Sequence, residues 1–471
     1  MSMDASAVPT GADTSRRPDG DRLSGLTATD LAALVRTGAV DAETVVAAHL
    51  ERIAEADPWV RALVLVDGAA AMRTARWVDA RARRGLPAGL LSGVPVVVKD
   101  NIDVRGQVTA AGSLAHDGRA ASRDAEVVRR LRRAGAVVVG RANMDELAMG
   151  ASTQTSAYGR THNPHDVRRS AGGRSGGSAA AVAAHEVPLS VGTDTGGSIR
   201  EPAAQCGIIG MAPSPGLVSL RGVVPFAPGL DRVGPMARTV ADTALLLAVL
   251  AGRPLLAEAA SCRDLRGVRV GLVAELAGAR NHPALLARLD QAVAALKELG
   301  AQVVSVSAPA ADRALSTYMT VTSVASVPAL TPYVRTGRVG AEVARRHAWG
   351  VRLLRECPDL LEVAYGDLAI LRSQMEAALD LCDVLLSPTM PTTAPLLEGY
   401  LPEELADPLA APYTDSWTVV ANLVGLPALS IPVGRSAADT MPVGAMLMAQ
   451  RGADAEVLRV AAALEASGID T

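Results

Sequence analysis

An α/β fold is what this sequence predicts, and three features carry the expectation. Short apolar runs alternate with longer stretches of helical periodicity. Glycines stand where the helical stretches should stop. The run Val94-Pro-Val-Val-Val98 is continuous and β-branched, the pattern of a strand buried on both faces between helices.

Taken in order, Thr27 to Ala56 shows helical apolar spacing, with Thr29 and Asp41 placed as N-caps. Arg61 to Val66 reads as a strand, and an Ala/Arg-rich helix follows from about Ala69 to Arg84. Val94 to Val98 is a buried strand that ends at Lys99-Asp100-Asn101. Asp124 to Arg133 is a helix, Gly135 lies past its end, and Ala136 to Val139 is the next strand. The same alternation returns with a helix from Pro283 to Leu299, a stop at Gly300 and a strand from Gln302 to Val306. Asp383 to Leu386 and Ala428 to Pro432 read as buried strands, and Ala453 to Ala466 as a closing amphipathic helix. Between Gly150 and Gly234, Gly, Ser, Thr and Pro are dense, which predicts loops with short helices and strands, the usual setting for chemistry.

Composition excludes several classes. The 471 residues carry a net charge of −3, where a dedicated nucleic-acid binder would carry a basic excess, so no direct nucleic-acid contact is expected. The four cysteines have no paired spacing, and the seven histidines show no ligand pattern, so no metal, no other cofactor and no disulfide framework is expected. No apolar run reaches the roughly 18 residues that span a bilayer. Residues 1–24, rich in Asp, Ser, Gly, Pro and Arg and without an apolar core, read as a disordered leader rather than a secretory signal. Residues 25–471, with no linker or repeat, read as one domain, and the expected location is the cytoplasm.

Of the 46 basic residues only Lys99 and Lys297 are lysine. Lys297 falls on the polar face of a helix. Lys99 ends an apolar strand, where desolvation lowers the proton affinity of an ammonium and turns it toward general-base work that an arginine cannot do. The alternative is a structural ion pair with Asp100 or another carboxylate. Two Gly/Ser runs, Gly172-Gly-Arg-Ser-Gly-Gly-Ser178 and Gly192-Thr-Asp-Thr-Gly-Gly-Ser-Ile-Arg200, supply backbone N–H groups able to converge on an anion. Ser198 follows Gly196-Gly197 as a candidate nucleophile beside such donors. The bland alternative is two tight loops packed on a sheet. Neither run fits a dinucleotide or P-loop pattern, and no G-x-S-x-G elbow is present, so a Ser-Lys arrangement fits better than a Ser-His-Asp triad.

These segments resemble the amidase signature family. The resemblance runs from about Leu26 to Glu465 and includes Gly93-Val-Pro-Val-Val-Val-Lys99, both Gly/Ser runs, Leu230-Asp-Arg-Val-Gly-Pro-Met-Ala-Arg238 and Asn422-Leu-Val-Gly-Leu-Pro-Ala-Leu-Ser-Ile-Pro-Val433. Within the family the chain is most similar to the glutamine-hydrolysing A subunits of tRNA-dependent amidotransferases, through Asn143-Met-Asp-Glu-Leu-Ala-Met-Gly150, Tyr158-Gly-Arg-Thr-His-Asn-Pro164 and Tyr413-Thr-Asp-Ser-Trp-Thr418. The resemblance implies a large mixed β-sheet covered by helices on both sides, and amide cleavage by a Ser–cis-Ser–Lys triad. It assigns Ser198 as nucleophile, Lys99 as base, and the backbone of Thr195, Gly196, Gly197 and Ser198 as oxyanion donors. It assigns Tyr333, Arg346 and Asp415 to the amino-acid part of the substrate. It leaves open a homodimer or a partner subunit.

The bridging serine of the family falls on Arg174, with Ser175 beside it. A guanidinium has donors only and cannot relay a proton. Its charge also pushes a neighbouring lysine toward the neutral form. On this reading Arg174→Ser restores a relay and raises activity. The expected function is cleavage of a small amide through a Ser198 acyl-enzyme, with Lys99 as base directly or through Ser175 or water. The alternatives are a silenced relative kept for binding or assembly, and an acyltransferase that passes the same acyl group to an amine.

Overall fold

The computed structural model describes residues 20–86, 88–397 and 416–469. Thirteen strands occur among them: β1 Leu63–Val66, β2 Pro95–Lys99, β3 Val137–Ala142, β4 His162–Asn163, β5 Asp166–Ser170, β6 Leu189–Asp194, β7 Ile209–Ala212, β8 Arg232–Ala237, β9 Arg269–Val273, β10 Gln302–Val306, β11 Val384–Pro388, β12 Ala428–Arg435 and β13 Pro442–Ala449. Eleven of them form one mixed sheet in the order β1-β3-β2-β6-β8-β7-β12-β13-β11-β9-β10, and β4 pairs with β5 alone. The β3-β2-β6 and β11-β9-β10 runs are parallel, and the strands between them are antiparallel.

The period-2 rule distributes side chains to the two faces. Val384 and Leu386 of β11 and Leu447 and Ala449 of β13 join one apolar cluster, while Leu385, Met446 and Met448 join another. The first cluster lies under helices that include Ala28–Thr37, Ala42–Val60, Val240–Ala251, Pro283–Glu298 and Asp454–Ala466. The second lies under Ala314–Val334, Pro358–Leu381 and Val419–Val424. Burial on both faces is why β2 reads as an apolar run up to Lys99 and β3 opens on Val137-Val-Val139: all residues of both strands are buried.

Most expected elements occur within a residue or two of their expected ends. The helix at Ala28–Thr37 is capped by Thr27, whose side chain accepts from Asp30 N–H, and not by Thr29; the Thr29 hydroxyl instead donates to Asp242. Asp41 occupies the N-cap position of Ala42–Val60 without a side-chain cap bond. A short helix at Gly20–Gly25 overlaps the last residues of the expected leader, and Leu23 is fully buried there. The Gly/Ser-rich stretch holds short helices and strands, as its composition predicts. It supplies β6, which runs through the sheet, and the helices Gly176–Ala183 and Arg200–Cys206. No helix among the described residues is long and apolar enough to cross a membrane.

Candidate active site

β2 and β6 are parallel neighbours, with Val98 level with Val191. Lys99 and the loop Thr195–Ser198 therefore emerge from the same edge of the sheet, at the carboxyl ends of adjacent strands. This is where open α/β sheets hold their ligands. Lys99 is fully buried, and its Nζ donates to Thr193 Oγ1 at 2.8 Å and to the Thr193 carbonyl at 3.4 Å. Asn101 Nδ2 donates to the same hydroxyl at 3.1 Å. Burial, and then the Arg174 guanidinium, push the Lys99 pKa down to about 7 against the opposing pull of Asp145, Asp194 and Asp231. No carboxylate hydrogen-bonds Lys99 among the described residues, so the ion pair with Asp100 does not form; Asp100 pairs with Arg141 instead, at 3.2 Å.

Ser198 is 1% exposed and sits between the tip of the Gly196-Gly197 loop and the helix Arg200–Cys206. Two contacts explain why glycine occupies those positions. A Cβ on Gly196 would lie 2.4 Å from the ring of Tyr318. Gly197 has φ +135°, and a Cβ there would lie 2.0 Å from Thr418 Oγ1. Gly197→Ala is therefore expected to lower stability by about 1–3 kcal/mol and to abolish any hydrolytic activity, because the loop must leave both its conformation and its seat. Thermal melting beside an ammonia-release assay checks this; an alanine variant as active and stable as the parent contradicts it.

Asp194 anchors the loop. Its carboxylate accepts from the Gly197 amide at 2.9 Å, the Ile199 amide at 3.0 Å and Asn422 Nδ2 at 2.9 Å, and pairs with Arg200 at 3.0 Å. These partners hold its pKa far below the usual carboxylate range despite complete burial. Arg200 also reaches the Thr418 carbonyl at 2.8 Å and the Asn422 side chain. The Gly197 amide is thus committed to Asp194. This departs from the assignment of Gly197 as an oxyanion donor. Thr195 is held by its hydroxyl, which donates to Asp231 at 2.6 Å.

Of the bridging-position residues, Arg174 is 1% exposed and brings Nη1 to 3.5 Å from Ser198 Oγ. Ser175 Oγ donates to the Thr193 carbonyl at 3.1 Å, so Ser175 and Lys99 share one acceptor. Among the described residues no hydrogen bond joins Ser198 to Lys99 or to Ser175. All peptide bonds of the described residues are trans, Gly173–Arg174 included.

The substrate-side residues divide. Arg346 is buried, with Nε donating to Ser323 Oγ at 2.8 Å and Nη2 to Thr322 Oγ1 at 2.6 Å. Thr322 lies one turn beyond Tyr318 on the helix Ala314–Val334. Tyr318, fully buried against Gly196, is the tyrosine that the structure brings to the loop. Tyr333 is 15 residues further along that helix, about 22 Å at 1.5 Å per residue, half-buried and toward Asp103 and Asp117. Tyr333 therefore does not share the Gly196 contact. Asp415 lies outside the described residues.

Asp194, Arg200, Thr193, Tyr318 and Asn422 were not singled out from the sequence. One signal existed for the first two: an Asp and an Arg inside a segment otherwise free of charge, where burial demands pairing. Among the described residues no group of three or more His, Cys, Asp or Glu side chains is placed to hold a metal ion.

A family model described as Amidase matches residues 44–458. The chain belongs to the amidase family. Among curated members it is 43% identical over 480 residues to the A subunit of the glutamyl-tRNA(Gln) amidotransferase of Acidothermus cellulolyticus, covering 94% of each chain. It is 40% identical to the protein of the same name from Cutibacterium acnes, covering 94% of this chain and 95% of that one. Among solved amidase-family structures, the peptide amidase of Stenotrophomonas maltophilia aligns with a TM-score of 0.80 at 30% identity, over 95% of this chain and 99% of that one. The A subunit of the glutamyl-tRNA(Gln) amidotransferase of Thermotoga maritima aligns with a TM-score of 0.78 at 33% identity, over 94% and 95%. The mixed eleven-stranded sheet is in keeping with both alignments.

Proposed function

We propose that this amidase-family chain cleaves the C–N bond of a small amide through an acyl-enzyme on Ser198. The observation that carries the reading is the meeting, at one edge of the sheet, of a fully buried lysine whose pKa is near 7 and a serine on a glycine loop. Neutral Lys99 takes the Ser198 hydroxyl proton, directly or through an intervening hydroxyl or water. Ser198 Oγ bonds to the substrate carbonyl carbon, and the amides of Thr195, Gly196 and Ser198 stabilise the oxyanion. The C–N bond then breaks, and the proton held by Lys99 passes to the leaving nitrogen. Water attacks the ester with Lys99 again as base, and the acid leaves. Arg346 and Asp415 suit the charged groups of an amino-acid amide such as glutamine or asparagine. The similar curated proteins are named as subunits, and a partner subunit is accordingly part of the proposal.

The test is ammonia release from a panel of small amides, glutamine and asparagine included, across pH 5 to 9. Lys99 must be neutral to act, and its pKa lies near 7. Activity is therefore expected to fall about tenfold per pH unit below that value and to level off above it. A profile flat from pH 5 to 9 would remove Lys99 as the base.

One observation favours a second reading, in which the fold is kept and the chemistry lost: the guanidinium of Arg174, the residue on which the resemblance puts the family relay, reaches Ser198 Oγ. A fluorophosphonate probe separates the two, since covalent labelling of Ser198 excludes a silent site. Adding an amine acceptor and measuring how the product partitions separates hydrolysis from acyl transfer.

A further inference from the structure

Arg174 is the one residue whose side chain hydrogen-bonds Ser198 Oγ among the described residues. It approaches from the start of the helix Gly176–Ala183, buried beneath the surface, and its Nη1 stands 3.5 Å from that oxygen. Lys99 and Ser175 are both turned to Thr193 instead. The hydroxyl oxygen of Ser198 therefore faces a cation, not a proton relay.

We propose that Arg174 is a catalytic residue: its guanidinium donates to Ser198 Oγ and stabilises the negative charge which that oxygen gains as it loses its proton. The proposal rests on the acyl-enzyme reading of Ser198. A donor aimed at an atom that becomes anionic binds the transition state more strongly than the resting hydroxyl. A contact of 3.5 Å in the resting site shortens as the charge develops. The proton leaves Ser198 for neutral Lys99, so nothing is asked of the guanidinium as an acceptor, which it cannot be. In place of a hydroxyl that conducts a proton, the site uses a fixed charge that makes the proton easier to remove.

The same charge acts on Lys99. The charged groups that bear on Lys99 are Arg174, which disfavours its ammonium, and Asp145, Asp194 and Asp231, which favour it. Removing Arg174 leaves burial alone to oppose the three carboxylates, so the lysine holds its proton to higher pH. Loss of Arg174 is thus expected to slow reaction at Ser198 and to move the acid limb of the pH profile upward together. A merely structural residue does not move the limb.

The experiment measures the second-order rate of fluorophosphonate labelling of the full chain at Ser198 from pH 5 to 10. It compares the parent, Ser198→Ala, Arg174→Ser, Arg174→Gln and Arg174→Lys, with melting temperatures alongside. The expected result is a fall of roughly 10²-fold for Arg174→Ser and Arg174→Gln, an acid limb displaced above pH 7 in both, and partial rescue by Arg174→Lys. Arg174→Gln, close to arginine in length but uncharged, decides the matter where Arg174→Ser fails to fold. Labelling by Arg174→Ser as fast as the parent or faster, the result expected of a restored relay, overturns the proposal. A fall with the acid limb unmoved and no rescue by lysine overturns it too. A parent that is not labelled at Ser198 at any pH overturns the acyl-enzyme reading itself, and with it this role for Arg174.

Discussion

Ser198→Ala is expected to lower amide cleavage by roughly 10⁶-fold, to the level set by binding and the oxyanion donors alone, with little change in melting temperature. The size follows from the chemistry. Without Oγ no acyl-enzyme forms, and neither Lys99 nor Arg174 has an atom on which to act. The small effect on folding follows from the structure. The one described partner of Oγ is the long contact to Arg174, while the loop is held by Asp194, Arg200, Asn422 and Thr418, none of which touches the hydroxyl. Turnover and differential scanning on the same preparation test both halves. Wild-type turnover by the alanine variant removes Ser198 from the mechanism, and a melting temperature lowered by ten degrees or more removes the separation of loop from nucleophile.

Lys99→Arg is expected to be nearly as damaging as Lys99→Ala, each lowering the rate by about 10²–10⁴-fold, the usual worth of a general base. Arginine retains the charge but cannot supply a neutral nitrogen. It also brings a bulkier fork into a site that is closed: Lys99 has no exposed surface, and its Nζ is already held by Thr193. A structural ion-pair role predicts the reverse, with arginine largely restoring function. The acid limb near pH 7 should vanish in both variants, because the group that titrates there is gone. An arginine variant that keeps most of the parent rate, with its pH profile unchanged, contradicts the base assignment.

The local features of this fold are legible in the sequence because their causes are local. β2 announces itself through β-branched residues buried on both faces, and the helix Pro283–Glu298 through its 3.6-residue spacing, its proline at the start and Gly300 beyond its end. Lys99 stands out as one of two lysines, placed at the end of an apolar strand. Ser198 stands out because two glycines precede it. The Gly/Ser-rich stretch is harder to read, since β6 carries Ser, Gly and Asp and the helix Gly176–Ala183 opens on Gly-Gly-Ser. Burial, of β6 between β2 and β8 and of nearly all of the helix, accompanies their regularity.

What the sequence determined by itself is the class of fold and the family it resembles, and it singled out the two residues proposed to react, because each depends on residues close together in the chain. What only the tertiary structure decided is which side chains meet. Thr193 receives Lys99 from 94 positions away because β2 and β6 are neighbours. Asn422 joins Asp194 across 228 positions because Val419–Val424 packs at the loop. Tyr318 rather than Tyr333 lies against Gly196 because the direction of one helix carries the second tyrosine some four turns away. Spacing along a chain encodes the period of a helix or strand. It does not encode the order of strands in a sheet, and the environment of Ser198 follows from that order.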